Sequence, residues 1–428
     1  MNLAGHSEAT ARRGLELNPF RGLRYDPDRV GSLAAVTSPP YDVVVRPDGV
    51  YHLQSADPHN IVRLILPQDT TPSARNERAA DTLHRWLDEG ILNADSEPGL
   101  YVYEQRDDAD RLLQRGLIGA LRLTEPSEGV VLPHEDVMPH IVADRAALMR
   151  ATSANLEPLL LTYRGDGDTA DVVERTAERE PLLSTTTEDG YGHRLWSITD
   201  PAELARVQTD LSQHQALIAD GHHRWATYLR LRAEHPSPGP WDYGLVLLVD
   251  TLRYPLRVRA IHRLLHTLPI ADALAALHGL FRVRRLDVPL PDALKALAEA
   301  AETGNAFLLA GDGSFHLVDQ PAPELLARTV PEDRPALWRT LDATVLHATL
   351  LEHVWRIPED SPTHIAYIHD TAATVEKAER GGGTAVLMHP VHEEVVRDLA
   401  RQGVTMPRKS TSFGPKPASG LVLRTLEF

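Results

Sequence analysis

The chain contains no cysteine, which removes disulfides, thiolate metal sites and cysteine nucleophiles together. No apolar run approaches the roughly 18–20 residues of a membrane span, and the first twenty residues lack the apolar core of a secretory signal. A cytoplasmic address is the expectation. Cationic residues are in the minority, 44 Lys and Arg against 60 Asp and Glu, for a formal charge of −16. That balance argues against broad contact with nucleic acid or an anionic membrane, so any bound anion must sit in a local basic pocket. Familiar catalytic signatures are missing as well. There is no GxxxxGK followed by Ser or Thr, no GxGxxG after a strand, no HExxH and no GxSxG.

What is present is a globular composition, 42% hydrophobic and 24% charged, over 428 residues, enough for two or three domains. Residues 1–20 read as a flexible leader. A main α/β domain is expected over 21–285, with a smaller insertion at 165–210, and a C-terminal α/β portion over 286–428 follows a proline-rich joint at 286–292 (LDVPLPD). Alternation predicts strands at 60–67, 99–105 and 115–123, and the apolar run 243–250 predicts a core strand. Residues 73–92 predict a helix with Ala79, Leu83, Trp86 and Leu87 on one face, and 305–319 a hairpin around Gly311-Asp312-Gly313. Strands and helices mix without a strict βαβ rhythm, so the expected class is α+β, with mixed sheets and flanking helices.

The densest chemistry lies in QALIADGHHRWATYL, residues 215–229. Gln215 to Ala219 predict a short apolar strand, Gly221 permits a sharp turn, and Trp225, Tyr228 and Leu229 recur at helical spacing from His222 onward. Asp220 is placed to cap the helix or to orient a histidine. Three cationic groups at one helix start oppose the helix dipole unless something negative joins them. Backbone amides with His222, His223 and Arg224 would make a compact anion site, with a phosphate chain as its natural guest. Two alternatives stand beside this one. The histidines could cap the strand end while Arg224 bridges to a carboxylate, or both histidines and Asp220 could hold a divalent metal. Adjacent helical residues diverge by roughly 100°, more than a shared metal favours.

In seven ordered blocks, the sequence resembles the bacterial and archaeal proteins of domain-of-unknown-function family 1015. The blocks are SPPYDVV (38–44), HNIVRLILP (59–67), VLPHEDVMPH with a following DR (131–145), ATSANLEPL (151–159), IADGHHRWATYL (218–229), AIHRLL (260–265) and MPRKSTSFGPKPASGLV (406–422). The strand–turn–DGHHR element is similar to the phosphate-binding element of the ParB and sulfiredoxin-like superfamily, and free serine kinases carry a like signature. The resemblance implies a ParB/sulfiredoxin-like nucleotide-binding element and phosphoryl transfer from ATP or ADP, with Mg²⁺, to a small hydroxyl-bearing molecule, free L-serine first. A homo-oligomer is left open, and the −16 charge points to no nucleic acid and no membrane partner. A metal-assisted hydrolase or lyase, and a nucleotide-binding switch without turnover, are the other function classes.

Against that resemblance the remaining blocks take roles. Glu135 is the expected general base and His134 a group to hold the transferring phosphate; Asp220 and His223 complete the catalytic set. Gly221, His222, His223 and Arg224 would hold the nucleotide, with Lys409 as a point charge and Ser410 and Thr411 as donors. Tyr41 and Asp42, fixed after Pro39-Pro40, with Arg63 and Asn155, are the substrate-binding candidates, and Asp42 and Asp220 the metal ligands. Each role has a plain counterpart: Asp42 can satisfy its own turn, Arg63 in an apolar strand calls for a carboxylate partner, and Asn155 suits a helix end. The resembled pattern has an aromatic where this chain has Ser412 and Gly414, a departure at the C-terminal loop.

Overall fold

The computed structural model describes residues 14–41, 43–44, 47–165, 167–358 and 363–427. They form two compact units. Unit 1 takes the chain up to Pro133, then Val137–Leu256 and the segment from Pro415 onward; unit 2 takes His134–Asp136 and Arg257–Gly414. The division falls after residue 256, and the proline-rich 286–292 segment lies inside unit 2, joining a strand to a helix.

Unit 1 begins with β1 (Leu17–Asn18), α1 (Pro47–Ala56), α2 (Val62–Ile65), α3 (Pro72–Asp88), β2 (Leu100–Arg106), β3 (Leu112–Arg122) and β4 (Val131–Leu132). It continues through α4 (Pro139–Thr152), β5 (Leu159–Tyr163), α5 (Asp168–Ala177), β6 (Leu183–Thr186), β7 (Gly192–Ile198), α6 (Pro201–Leu211), β8 (Ala216–Asp220), α7 (His222–Glu234) and β9 (Tyr243–Asp250). The strands make one nine-stranded mixed sheet in the order β4-β8-β5-β9-β3-β2-β7-β6, with β1 on β3. The β5–β9 and β4–β8 pairs are parallel. The class is α+β, with helices flanking mixed sheets.

Three expectations are corrected here. The leader ends early: Leu15 and Leu17 are buried, the Leu15 N–H donates to the Leu211 and His214 carbonyls, and β1 pairs with β3, so apolar side chains tie 14–18 down. Residues 1–13 lie outside the described residues. Residues 165–210 are no separate insertion, because β7 runs antiparallel to β2 over seven residues and, with β6, completes the main sheet. The strand expected over 60–67 is instead the helix α2. Its apolar run buries Val62, Leu64 and Ile65, and Asn60 starts it, accepting from the Val62 N–H while its amide donates to the Ala35 and Thr37 carbonyls. A run of four to eight apolar residues fits a buried helix as well as a strand, and Asn60 decides between them. In α3, Thr71 caps the helix and Pro72 opens it, while Ala79, Leu83 and Trp86 are buried as their spacing requires.

Unit 2 holds β10 (His262–Leu265), β11 (Arg282–Leu286), α8 (Leu290–Ala301), β12 (Ala306–Ala310), β13 (Phe315–Asp319), β14 (Ile365–Ile368), α9 (Thr371–Gly381) and β15 (Thr384–Met388). These strands form an antiparallel sheet ordered β11-β13-β12-β15-β10-β14. Alternation sends Phe307 and Leu309 to one face, against a π-helix over Val345–Val354, and Leu308 to the other, against α8 and α9. The expected hairpin is β12–β13.

The last segment is stitched into unit 1 by a buried guanidinium. Arg424 donates to Asn155 Oδ1 at 3.0 Å and to the Tyr243 and Pro240 carbonyls at 2.9 and 2.7 Å. Burial pushes its pKa down to about 10. Arg424→Met should strand these acceptors and lower stability by roughly 1–3 kcal/mol, read as a reduced urea midpoint at unchanged slope.

Candidate functional site

The chemistry singled out in the sequence separates into two clusters, one in each unit. In unit 1, β8 delivers Asp220 to the end of the sheet, and its register against β5 shifts between Ile218 and Asp220, a bulge that re-aims the strand end. Gly221 then takes φ +99° before α7 starts at His222. A Cβ there would lie 2.9 Å from Leu159 Cγ and 3.2 Å from Arg224 Nε, so the turn excludes side chains by space as well as by conformation. Burial of Trp225, Tyr228 and Leu231 fixes α7, and its first turn carries the positive end of the helix dipole.

Around that turn the charges interlock. Asp220 Oδ2 is 2.8 Å from the Arg224 guanidinium and Oδ1 is 2.5 Å from Lys416 Nζ. Burial works to raise the Asp220 pKa, but Lys416, Arg224 and His222 overcome it and hold the carboxyl below its ordinary value. Arg224, only 6% exposed, also donates to the Pro158 carbonyl and lies 3.9 Å from Glu157. Glu157 is itself buried, accepting from the Tyr41 N–H at 3.1 Å and the Ser419 hydroxyl at 2.8 Å. The Tyr41 ring lies under two guanidiniums, those of Arg145 at 4.1 Å and Arg224 at 5.6 Å. His222 is buried at the helix start, and His223 Nε2 accepts from the Met138 N–H at 3.1 Å, anchoring the segment that opens α4.

In unit 2, the HED segment clasps the KST loop. His134, 2% exposed, has Nε2 3.0 Å from Thr411 Oγ1, its carbonyl accepts from the Met406 N–H at 2.8 Å, and its ring meets Phe413. Glu135 Oε1 accepts from the Lys409 N–H at 3.1 Å. Lys409 stands at φ +57°, a left-handed conformation costly for a side chain other than glycine, and Ser410 Oγ donates to the Pro407 carbonyl. Phe413 is buried in a short strand over Ser412–Gly414, which places an aromatic between the two positions where the sequence departs from its resembled pattern.

Other expected residues are dispersed. Asp42 lies outside the described residues. Asp220 does not fit a magnesium ligand, since each of its oxygens already faces a cation. Asn155 is 1% exposed, its carbonyl oxygen taken by the Leu245 N–H and Arg424, which makes it a buried bracket rather than a surface for substrate. Arg63 sits on α2, half-buried, with the Gln54 carbonyl and no carboxylate as its hydrogen-bond partner among the described residues. Among those residues no three His, Asp or Glu side chains converge to hold a metal, so the hydrolase reading lacks a centre there. Sequence reasoning missed Glu157. Its signal was a carboxylate in an otherwise apolar approach to β5, immediately before Pro158.

A family described as "Protein of unknown function (DUF1015)" matches residues 17–344. No curated protein matches the chain. Among solved structures, a conserved hypothetical protein from Pyrococcus furiosus is 15% identical, with a TM-score of 0.33 over 66% of this chain and 87% of the other. A free serine kinase in complex with AMP is 15% identical, with a TM-score of 0.34 over 66% and 83%. SbnI from Staphylococcus aureus, truncated at its C-terminus, is 10% identical, with a TM-score of 0.35 over 69% and 82%.

Because its folded pKa is depressed below the ordinary 3.8, Asp220 contributes stability that is present above that unfolded value and lost as pH falls from it through the lower folded pKa. Asp220→Asn, with the wild-type side chain 15% exposed, should cost toward the lower end of roughly 3–5 kcal/mol near neutral pH. The gap in urea midpoint between the two proteins should begin to narrow as pH falls below about 5 and go on narrowing below 3.8, toward the lowered folded pKa.

Proposed function

The chain belongs to the DUF1015 family, and we propose that it is a nucleotide-dependent phosphotransferase acting on a small hydroxyl-bearing molecule, free L-serine first. The observation that carries the reading is the β8–Gly221–α7 turn. There the positive end of a 13-residue helix meets Arg224 and Lys416 around a single carboxylate, at a bend that only glycine fills without strain. A helix start of this kind suits phosphate oxygens. The likeness of DGHHR to the ParB and sulfiredoxin-like phosphate turn supports it. Arg224 is braced from behind by Asp220 and Glu157, so it acts as a fixed charge. Lys416, on a flexible stem, is the group that would exchange Asp220 for a phosphate. His222 and the amides of the first turn complete the grip.

Glu135 is the residue to which we assign the acceptor's proton. One of its oxygens holds the Lys409 amide, and among the described residues the other has no hydrogen-bond donor. Lys409 and Thr411, held by the same segment, are assigned to phosphate contacts. Asp42 keeps its proposed place on the substrate. Mg²⁺ is given no ligand among the described residues, and it enters the test with the nucleotide.

The test incubates the purified protein with ATP or ADP, Mg²⁺ and a panel of free hydroxy amino acids, and reads products by mass. One amino acid should gain a phosphoryl group. Lys416→Ala should weaken nucleotide binding by about tenfold or more, the loss of one charge-assisted contact of roughly 1.5–3 kcal/mol. Glu135→Gln should leave binding intact and lower turnover. Nucleotide binding without turnover across the panel would favour a switch protein, and no nucleotide binding would overturn the reading.

A further inference from the structure

Unit 1 also carries a cleft of about 720 Å³ lined by α1, the turn after it, α2, the following loop and α3. Its volume lies within the roughly 300–1,000 Å³ of small-molecule sites. The cleft wall on α3 is a stripe, with Ala74, Arg78, Asp81 and Arg85 recurring at helical spacing. Facing it is Arg63, whose Nη donates to the Gln54 carbonyl at 2.7 Å while its Nε is buried without a hydrogen-bond partner among the described residues. A guanidinium drawn halfway into protein with one carbonyl and no carboxylate retains much of its demand for an anion.

Two further groups on the cleft wall are uncommitted among the described residues. Thr82 is 6% exposed, and its hydroxyl makes no hydrogen bond there. Asp81 is exposed and joins no ion pair there. By contrast, Arg78 is held by Asp69 at 2.6 Å, and Glu77 takes the Ser73 hydroxyl at 2.8 Å. The open groups are therefore of both signs, Arg63 and Arg85 against Asp81, with the Thr82 hydroxyl among them. A simple anion would meet the carboxylates of the wall, and a simple cation its arginines. A molecule carrying both charges a few ångströms apart satisfies the two together.

We propose that this cleft binds a free α-amino acid, its carboxylate on Arg63 and its ammonium on Asp81, with Thr82 donating to the carboxylate. The site stands apart from the nucleotide reading, because it is measured without nucleotide and has no residue in common with the α7 turn.

Calorimetric titration of the full chain with glycine, L-serine, L-glutamate and L-lysine tests it, with N-acetylglycine, methylamine and inorganic phosphate as controls. At least one free amino acid should bind saturably, and the controls, each lacking one charge or the geometry, should bind at least about tenfold more weakly. Arg63→Gln and Asp81→Asn should each weaken the amino acid by about tenfold or more, with circular dichroism and urea midpoint showing both variants folded. Asp81 is on the exposed side of α3, so its variant keeps the test decisive if Arg63→Gln fails to fold. Absence of binding by every amino acid, equal binding of N-acetylglycine, displacement by phosphate, or unchanged affinity in Asp81→Asn would overturn the proposal.

Discussion

A carboxylate held between two cations organises the end of the unit 1 sheet. Asp220 receives Arg224 from the first turn of α7 and Lys416 from the C-terminal segment, so the strand end, the helix start and the returning chain share one charge network. In so confined a place the three groups depend on each other. Without Asp220 two like charges face one another, and without either cation the carboxylate loses what offsets its desolvation. Glu157 repeats the device one layer further in, binding Tyr41, Ser419 and Arg224 to a single buried acid. The geometry of the DGHHR turn follows from these constraints together with the backbone demand met by Gly221.

Unit 2 uses another strategy for its loop. The HED segment contributes few apolar contacts and works through directed bonds: an imidazole to a threonine hydroxyl, a carbonyl to the Met406 amide and a carboxylate to the Lys409 amide. The last of these anchors the residue whose backbone is least comfortable, Lys409 at φ +57°. Strain at one position is sustained by neighbours that leave the loop little choice. His134 and Glu135 therefore matter to the loop as supports, whatever else they do.

Periodic features were legible in the sequence, and features set by distant partners were not. The buried stripe of α3, the core strand 243–250, the hairpin and the glycine turn before α7 all follow from local spacing and turn chemistry. The 60–67 segment misled because a short apolar run fits either element, and Asn60 settles it by donating to the Ala35 and Thr37 carbonyls, contacts that no local window contains. Residues 165–210 looked like an excursion because antiparallel pairing with β2, some ninety residues earlier, leaves no trace in the strand's own composition. At the candidate site the cationic turn and Asp220 were visible, but Glu157 and the pairing of Asp220 with Lys416 were not. Glu157 and the Asp220–Lys416 pair arise from segments far apart in the chain, and electroneutrality in a buried corner is a property of the assembled fold.

The division of the chain carries a consequence for biosynthesis. The polypeptide passes between units at 133/134, 136/137, 256/257 and 414/415, so unit 1 has no contiguous gene segment of its own. Its sheet can pair once residue 250 has emerged from the ribosome, yet the guanidinium that fills the space beside Asn155 and the ammonium that answers Asp220 arrive only with the last segment. Until translation reaches that point, a nascent unit 1 holds an acid answered by Arg224 but not yet by Lys416, and an open seam. The segment from Pro415 onward, rather than the pairing of the strands, is what closes it.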